Sequence, residues 1–399
     1  IATVAIDLPL HGIAPVTTDS DGADVANVVL PFTAEPGLAA FTASPYAGVA
    51  ANAGVSGTTF ENLTEQHDSI TQNSSGVRHA MNFDASVGDV SGKSGSAIIN
   101  LYNFTRSRDN IQQAVVDLLN LNASLANIDT ALGGGKLDTA KVFVAGHSLG
   151  AIFATTYTAV NNDPAVLAAN TDLNKIQGVM LANGGGQITK LLENSPSFGP
   201  TILGSLAGAG LTQGSSDLEK YFSVLQASID SVDPVMTGSL LAATDTPIVL
   251  FNMVGGDALP TDEAELAAIS YPAGFKGQGS FLADHTVPNF DYFADAATNP
   301  YAAFAPALGL QAEAPSAKAV MAGTNGLATI MGLEIVNKDT VIAELTSPTQ
   351  VVSRFSTGTH STFANSDAPA AFTEMLTQSI TLINGSFTSV NTAVLEASN

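Results

Sequence analysis

Residues 141–160, KVFVAGHSLGAIFATTYTAV, constrain this chain more than any other stretch. An apolar run (Val142, Phe143, Val144, Ala145) enters the turn Gly146-His147-Ser148-Leu149-Gly150. Small and apolar residues at helical spacing (Ala151, Ile152, Ala154, Thr155, Thr158) leave it. The pattern predicts a buried strand, a sharp turn with Ser148 at its apex, and a helix. A residue held at φ > 0 in so tight a turn crowds its neighbours two places away, so Gly146 and Gly150 are both expected to need bare backbone. The turn lifts Oγ above the strand ends. The helix N-terminus behind it favours negative charge developing there.

Composition limits what such a turn can serve. The chain has 399 residues, 45% of them apolar, which is enough for one large α/β core with insertions and argues against disorder. Its 13 Lys+Arg against 36 Asp+Glu give a net charge of −23, which repels nucleic acid and anionic membrane patches and suits salty surroundings. Cysteine is absent, so disulfides, thiolate metal sites and a Cys nucleophile are excluded. No apolar run reaches the roughly 18 residues that span a bilayer. Low Lys content and richness in Ala, Gly, Ser, Thr and Asn resemble an exported bacterial protein.

Residues 1–7 (IATVAID) read as a buried strand running into DLPLHG, which puts Asp7 and His11 at a strand's C-terminal end. A chain that opens inside a strand implies that the first strands of the sheet lie upstream. An upstream segment of the same gene product is expected to pair with the edge they would leave. Residues 14–96 hold no regular period and read as an insertion with short helices near 62–71. GDVSGKS (88–94) imitates a phosphate loop but has three residues between its glycines where four are needed. Asp84 and Asp89 lack the ordered ligand pattern of a calcium loop.

A helix is expected over 97–125, with Ile111, Ala114, Val115, Leu118 and Leu119 on one face and Arg106, Arg108 and Asp109 at its polar start. Further strands are expected at 176–182, 247–254 and 349–355. Helices are expected at 188–192, 218–229 and 370–383. Residues 195–246, rich in Leu, Ala, Gly and Ser, read as a helical cap suited to a hydrophobic substrate.

A serine hydroxyl needs a base to take its proton and an acid to orient that base. In chain order, nucleophile, acid and base follow one another in this type of fold. Of six histidines, His360 lies after the last strand and before the last helix, where the base belongs. His285 is the reserve, and His147, beside Ser148, reads as a packing or hydrogen-bonding residue. Asp284 in D-x-x-V-P is the preferred acid, with residues 258–283 as an insertion; Asp257 is the alternative. The backbone N–H of Leu149 is the expected first oxyanion donor, the second belonging to the upstream loop. No metal or organic cofactor is needed.

Together DLPLHG, RDNIQQAVVDLL, GHSLG, LANGGGQITKLLENSPSFGP, LADHTVPN and GTHST resemble the VolA-like family of extracellular lipases of Gram-negative bacteria. The resemblance spans most of the chain. It implies an α/β-hydrolase fold, export to the cell surface or medium, cleavage of acyl lipid esters, and Asp284 rather than Asp257 as the acid. The chain departs from the family in lacking its N-terminal region, its first hydrolase strands and a lipobox cysteine. The expectation is therefore one α/β-hydrolase catalytic domain over 1–399: a mostly parallel sheet flanked by helices, with the insertion and cap above. Its triad is Ser148, Asp284 and His360, acting on a hydrophobic ester. Polyesters or small soluble esters are the rival substrates, and a catalytically dead binding or adhesion protein is the rival class.

Overall fold

The computed structural model describes residues 98–101, 103–269, 276–277, 279–289 and 319–398. The expectations for residues 1–7, 14–96 and 88–94, and for Asp7, His11, Asp84 and Asp89, lie outside them. The chain divides into two units, Ile1–Ala140 with Thr171–Asn174, and Lys141–Asn170 with Lys175–Asn399.

In the first unit, α1 (Phe104–Ala131) starts later than the apolar period alone suggests. Asn103 is extended, and its side chain accepts from Arg106 N, which makes it the N-cap. Ile111, Ala114 and Val115 are buried, and Leu118 and Leu119 half-buried, on the expected face. Arg108 pairs with Asp109 at 2.7 Å in an exposed position where such a pair contributes little.

The second unit is built on a five-stranded parallel sheet in the order β1-β2-β3-β5-β4. Its strands are β1 (Val142–His147), β2 (Ile176–Ala182), β3 (Ile248–Met253), β4 (Glu334–Val336) and β5 (Gln350–Phe355). Every residue of β3 is buried, as an inner parallel strand covered on both faces requires. Alternation sends its side chains to two cores. Val249, Phe251 and Met253 join Met180, Ala182, Val351 and Phe355 against the last helix, α11 (Pro369–Ile383), through Ala371, Met375 and Leu382. Ile248 and Leu250 join Val179, Leu181 and Val352 on the other face. That face is covered by α2 (Leu149–Asn161), α7 (Pro234–Ala242) and α9 (Gly323–Met331), through Ala151, Ala154, Leu241, Leu327 and Met331.

Short α3 (Pro164–Ala169) follows α2, and α4 (Ile188–Asn194), α5 (Gly199–Gly208) and α6 (Ser216–Ile229) lie between β2 and α7, with short α8 (Glu263–Ala268) after β3 and α10 (Thr362–Asn365) after β5. Residues 195–246 are helical as expected, but α7 belongs to the layer on the sheet because Leu241 lies in its core. Both α9 and β4 escape the sequence pattern. Three residues of strand carry no usable period, and α9 is rich in Gly and Thr.

Candidate active site

At the C-terminal ends of the parallel strands Ser148, Asn183 and Asp284 are each held by a backbone bond that extends the sheet by one step. Ser148 N donates to Ala182 O at 2.8 Å, Asn183 N to Phe251 O at 3.0 Å, and Asp284 N to Met253 O at 3.0 Å. Open α/β sheets place ligand sites at this edge.

Ser148 has φ 56° and ψ −120°, the strained turn expected, and its side chain makes no capping bond to α2. Strain of this kind persists only where the surroundings enforce it. Gly146 shows how: a Cβ there would stand 2.4 Å from Gly150 O and 2.8 Å from Ala151 Cα. Gly150 differs from expectation, since a Cβ there would meet nothing within 4 Å. The crowding is one-sided, because Gly146 faces the carbonyl of Gly150 while Cα of Gly150 points into open space. At the first position of α2, the Leu149 N–H has no carbonyl a turn behind it to bond, as is usual for a helix start.

Asp284 and His360 come together across 76 positions of sequence, with His360 Nδ1 donating to Asp284 Oδ2 at 2.6 Å. The other carboxylate oxygen accepts from Thr286 N at 2.8 Å and Val287 N at 3.0 Å, the turn that D-x-x-V-P implied. Both groups are buried, Asp284 at 1% and His360 at 9% exposure. A proton on Nδ1 leaves the Nε2 lone pair of the neutral ring to accept another. The pKa of His360 is raised: burial, the largest single influence, lowers it, but the charge of Asp284 and its hydrogen bond together outweigh that. Among the described residues no hydrogen bond joins Ser148 Oγ to His360; such contacts often tighten only around substrate.

The stretch between Met253 and Asp284 is an excursion closed at its neck. Gly256 N donates to Phe281 O and Phe281 N to Asp257 O, and Ala258 bridges Ser280. Gly255 sits at φ +70°, where a Cβ would be 2.5 Å from Phe281 O. Asp257 therefore stays at the neck, half-buried, and its carboxylate faces Lys338 Nζ at 4.0 Å, not a histidine. The two other described histidines lie beside Asp284 and Ser148 in chain order. Burial lowers the pKa of His285, and its backbone carbonyl accepts from Ser197 N at 3.1 Å. His147 is likewise held low by burial, and its Nε2 lies 2.6 Å from His360 O.

Sequence reasoning missed two supports of the loops that carry Asp284 and His360. Asn183, fully buried at φ 52°, donates from Nδ2 to His360 O at 2.7 Å. Asn252, Asn289 and Asn325 close a ring of amides: Asn252 Nδ2 to Asn325 Oδ1 at 2.6 Å, Asn289 Nδ2 to Asn252 Oδ1 at 3.1 Å, and Asn325 Nδ2 to Asn289 Oδ1. That ring ties the loop after Asp284 to β3 and α9. The run A-N-G-G-G after β2 was the available signal for Asn183; the amide ring joins residues too far apart to signal itself.

Among the described residues no group of three or more His, Asp or Glu side chains could hold a metal ion, and no helix is long and apolar enough to cross a membrane. Comparison with family models, curated proteins and solved structures returns no match.

Proposed function

We propose that this chain is a serine-dependent carboxylic ester hydrolase acting on acyl lipid esters. The observation that carries the reading is the buried 2.6 Å pair of Asp284 and His360, at the same sheet edge where Ser148 stands at φ 56°. In this reading His360 Nε2 takes the Oγ proton as Ser148 attacks the ester carbonyl carbon. Asp284 holds the ring in the Nδ1–H tautomer and stabilises the imidazolium. The Leu149 N–H and a second donor meet the oxyanion. Collapse of the tetrahedral species breaks the carbon–oxygen bond, and His360 gives its proton to the leaving alcohol. Water then repeats the sequence on the acyl-enzyme and frees the acid.

An apolar acyl group fits the surroundings of the acid loop. Ser195 Oγ donates to Thr286 O at 2.7 Å, which seats the start of the cap beside Asp284. Phe198, 46% exposed, and the apolar helix α5 follow directly. The resemblance to VolA-like lipases supports the same substrate class and an extracellular location. Hydrolysis of nitrophenyl esters of graded chain length, with Ser148→Ala as control and an organophosphonate as label, tests the reading. We expect turnover that favours the longer acyl chains and labelling at Ser148 alone. A wild-type protein that neither cleaves these esters nor takes the label would overturn it in favour of a binding protein.

A further inference from the structure

The carbonyl oxygen of His360 is held from two sides. His147 Nε2 approaches it at 2.6 Å and Asn183 Nδ2 at 2.7 Å. A carbonyl only accepts, so the approaching nitrogen of His147 carries a hydrogen and the ring is the Nε2–H tautomer. Protonation of His147 would add a hydrogen at Nδ1 and leave this donor in place.

With two donors on its carbonyl, the peptide after His360 is restrained in one orientation. The rest of the loop is fixed elsewhere: Thr359 and Thr362 hydroxyls both donate to Asp367, and Thr359 N donates to Thr362 Oγ1 at 2.8 Å. Those bonds secure the loop to itself and to the approach to α11. Among the described residues only His147 and Asn183 tie the backbone of His360 to the ends of β1 and β2, where Ser148 stands. The two imidazole rings lie 4.9 Å apart at 49°, so the contact continues through the side chains.

We propose that His147 is a positioning residue: its ring N–H fixes the main chain of His360 relative to the turn that carries Ser148. This inference rests on the hydrolase reading for its kinetic consequence. Placement matters there because a displacement of about 1 Å in a reacting group costs on the order of 100-fold in rate. A merely structural role would lower thermal stability and leave turnover per folded molecule alone.

The test compares His147→Phe, which keeps a ring without a donor, with His147→Gln, whose terminal amide N–H replaces Nε2–H. On a short-chain nitrophenyl ester, His147→Phe is expected to lose about 10- to 100-fold in kcat with KM within twofold. Phosphonylation of Ser148 should slow in step, and His147→Gln should recover most of both. Proton NMR supplies an arm independent of turnover. The downfield Nδ1–H resonance of His360, expected to be sharp in wild type, should broaden in His147→Phe and return in His147→Gln. A kcat in His147→Phe within about threefold of wild type, or a His147→Gln as slow as His147→Phe, would overturn the proposal. If wild type neither turns over ester nor takes the phosphonate, the hydrolase reading fails by itself. The resonance then decides, and one unchanged in His147→Phe overturns the positioning role.

Discussion

Asp233 and Asp284 are equally hidden, at 0% and 1% exposure, yet their partners divide them. Asp233 accepts from Gln187 N, Ile188 N and Val235 N at 2.7–2.8 Å and from Gln226 Nε2 at 2.9 Å. It thereby caps the N-termini of both α4 and α7. Burial, its largest influence, raises its pKa, with those donors pulling the other way. None of them titrates near neutral pH. Asp284 gives one oxygen to two amides and the other to a titratable imidazole. Burial alone therefore does not distinguish the two carboxylates; a titratable partner does.

Exchanging the roles in the laboratory should separate the two. Asp284→Asn keeps the shape but presents an amide to His360, and kcat should fall by about 10³–10⁴ with the fold intact. Its pH profile carries a sign. On the hydrolase reading proposed above the neutral imidazole is the working base, so wild-type kcat/KM is expected to decline as pH falls through the raised pKa of His360. The substitution removes both upward influences of Asp284 and leaves burial, so the acid limb of the residual activity should move to lower pH. An unmoved limb would mean that another group sets it.

Asp233→Ala should behave in the opposite manner. Two helix caps and their buried amides lose a partner, which should cost about 2–4 kcal/mol in denaturant unfolding. Turnover per folded molecule should stay within about twofold, and a larger loss would break the comparison. The two glycines around Ser148 sharpen it on steric grounds. Gly146→Ala meets backbone and should cost at least about 1–3 kcal/mol with loss of activity. Gly150→Ala meets open space within a helix and should stay within about 1 kcal/mol of wild type. Smallest of all, Asp257→Asn removes half of a partly exposed ion pair with Lys338, so stability should shift by no more than about 0.5 kcal/mol and kcat less than twofold.

The strands around the site were legible because buried parallel strands are continuous apolar runs: residues 176–182 match β2, and 247–254 and 349–355 contain β3 and β5. Helix α11 was legible from its amphipathic period, starting one residue before the expected 370. In the site, Ser148 announced itself because a strained turn forces glycine at Gly146. The same argument overreached at Gly150, since sequence shows the motif and not which side of the turn is crowded. The amide ring of Asn252, Asn289 and Asn325 stayed hidden, because each is an ordinary polar residue until three distant elements converge.

What the sequence alone determined is local: a strand, a turn and a helix around Ser148, and the tight Asx turn that Asp284 makes with Thr286 and Val287. Those follow from backbone sterics and from hydrogen bonds over two or three residues. The tertiary structure alone decided which carboxylate meets His360, and that His147 and Asn183 hold its carbonyl. Asp257 and Asp284 both follow β3 in the chain. The neck between Asp257 and Phe281 keeps the first beside Lys338, while the backbone bond to Met253 returns the second to the strand end. Such pairings are set by the register of neighbouring strands and by where each loop re-enters the sheet, and a one-dimensional pattern carries neither.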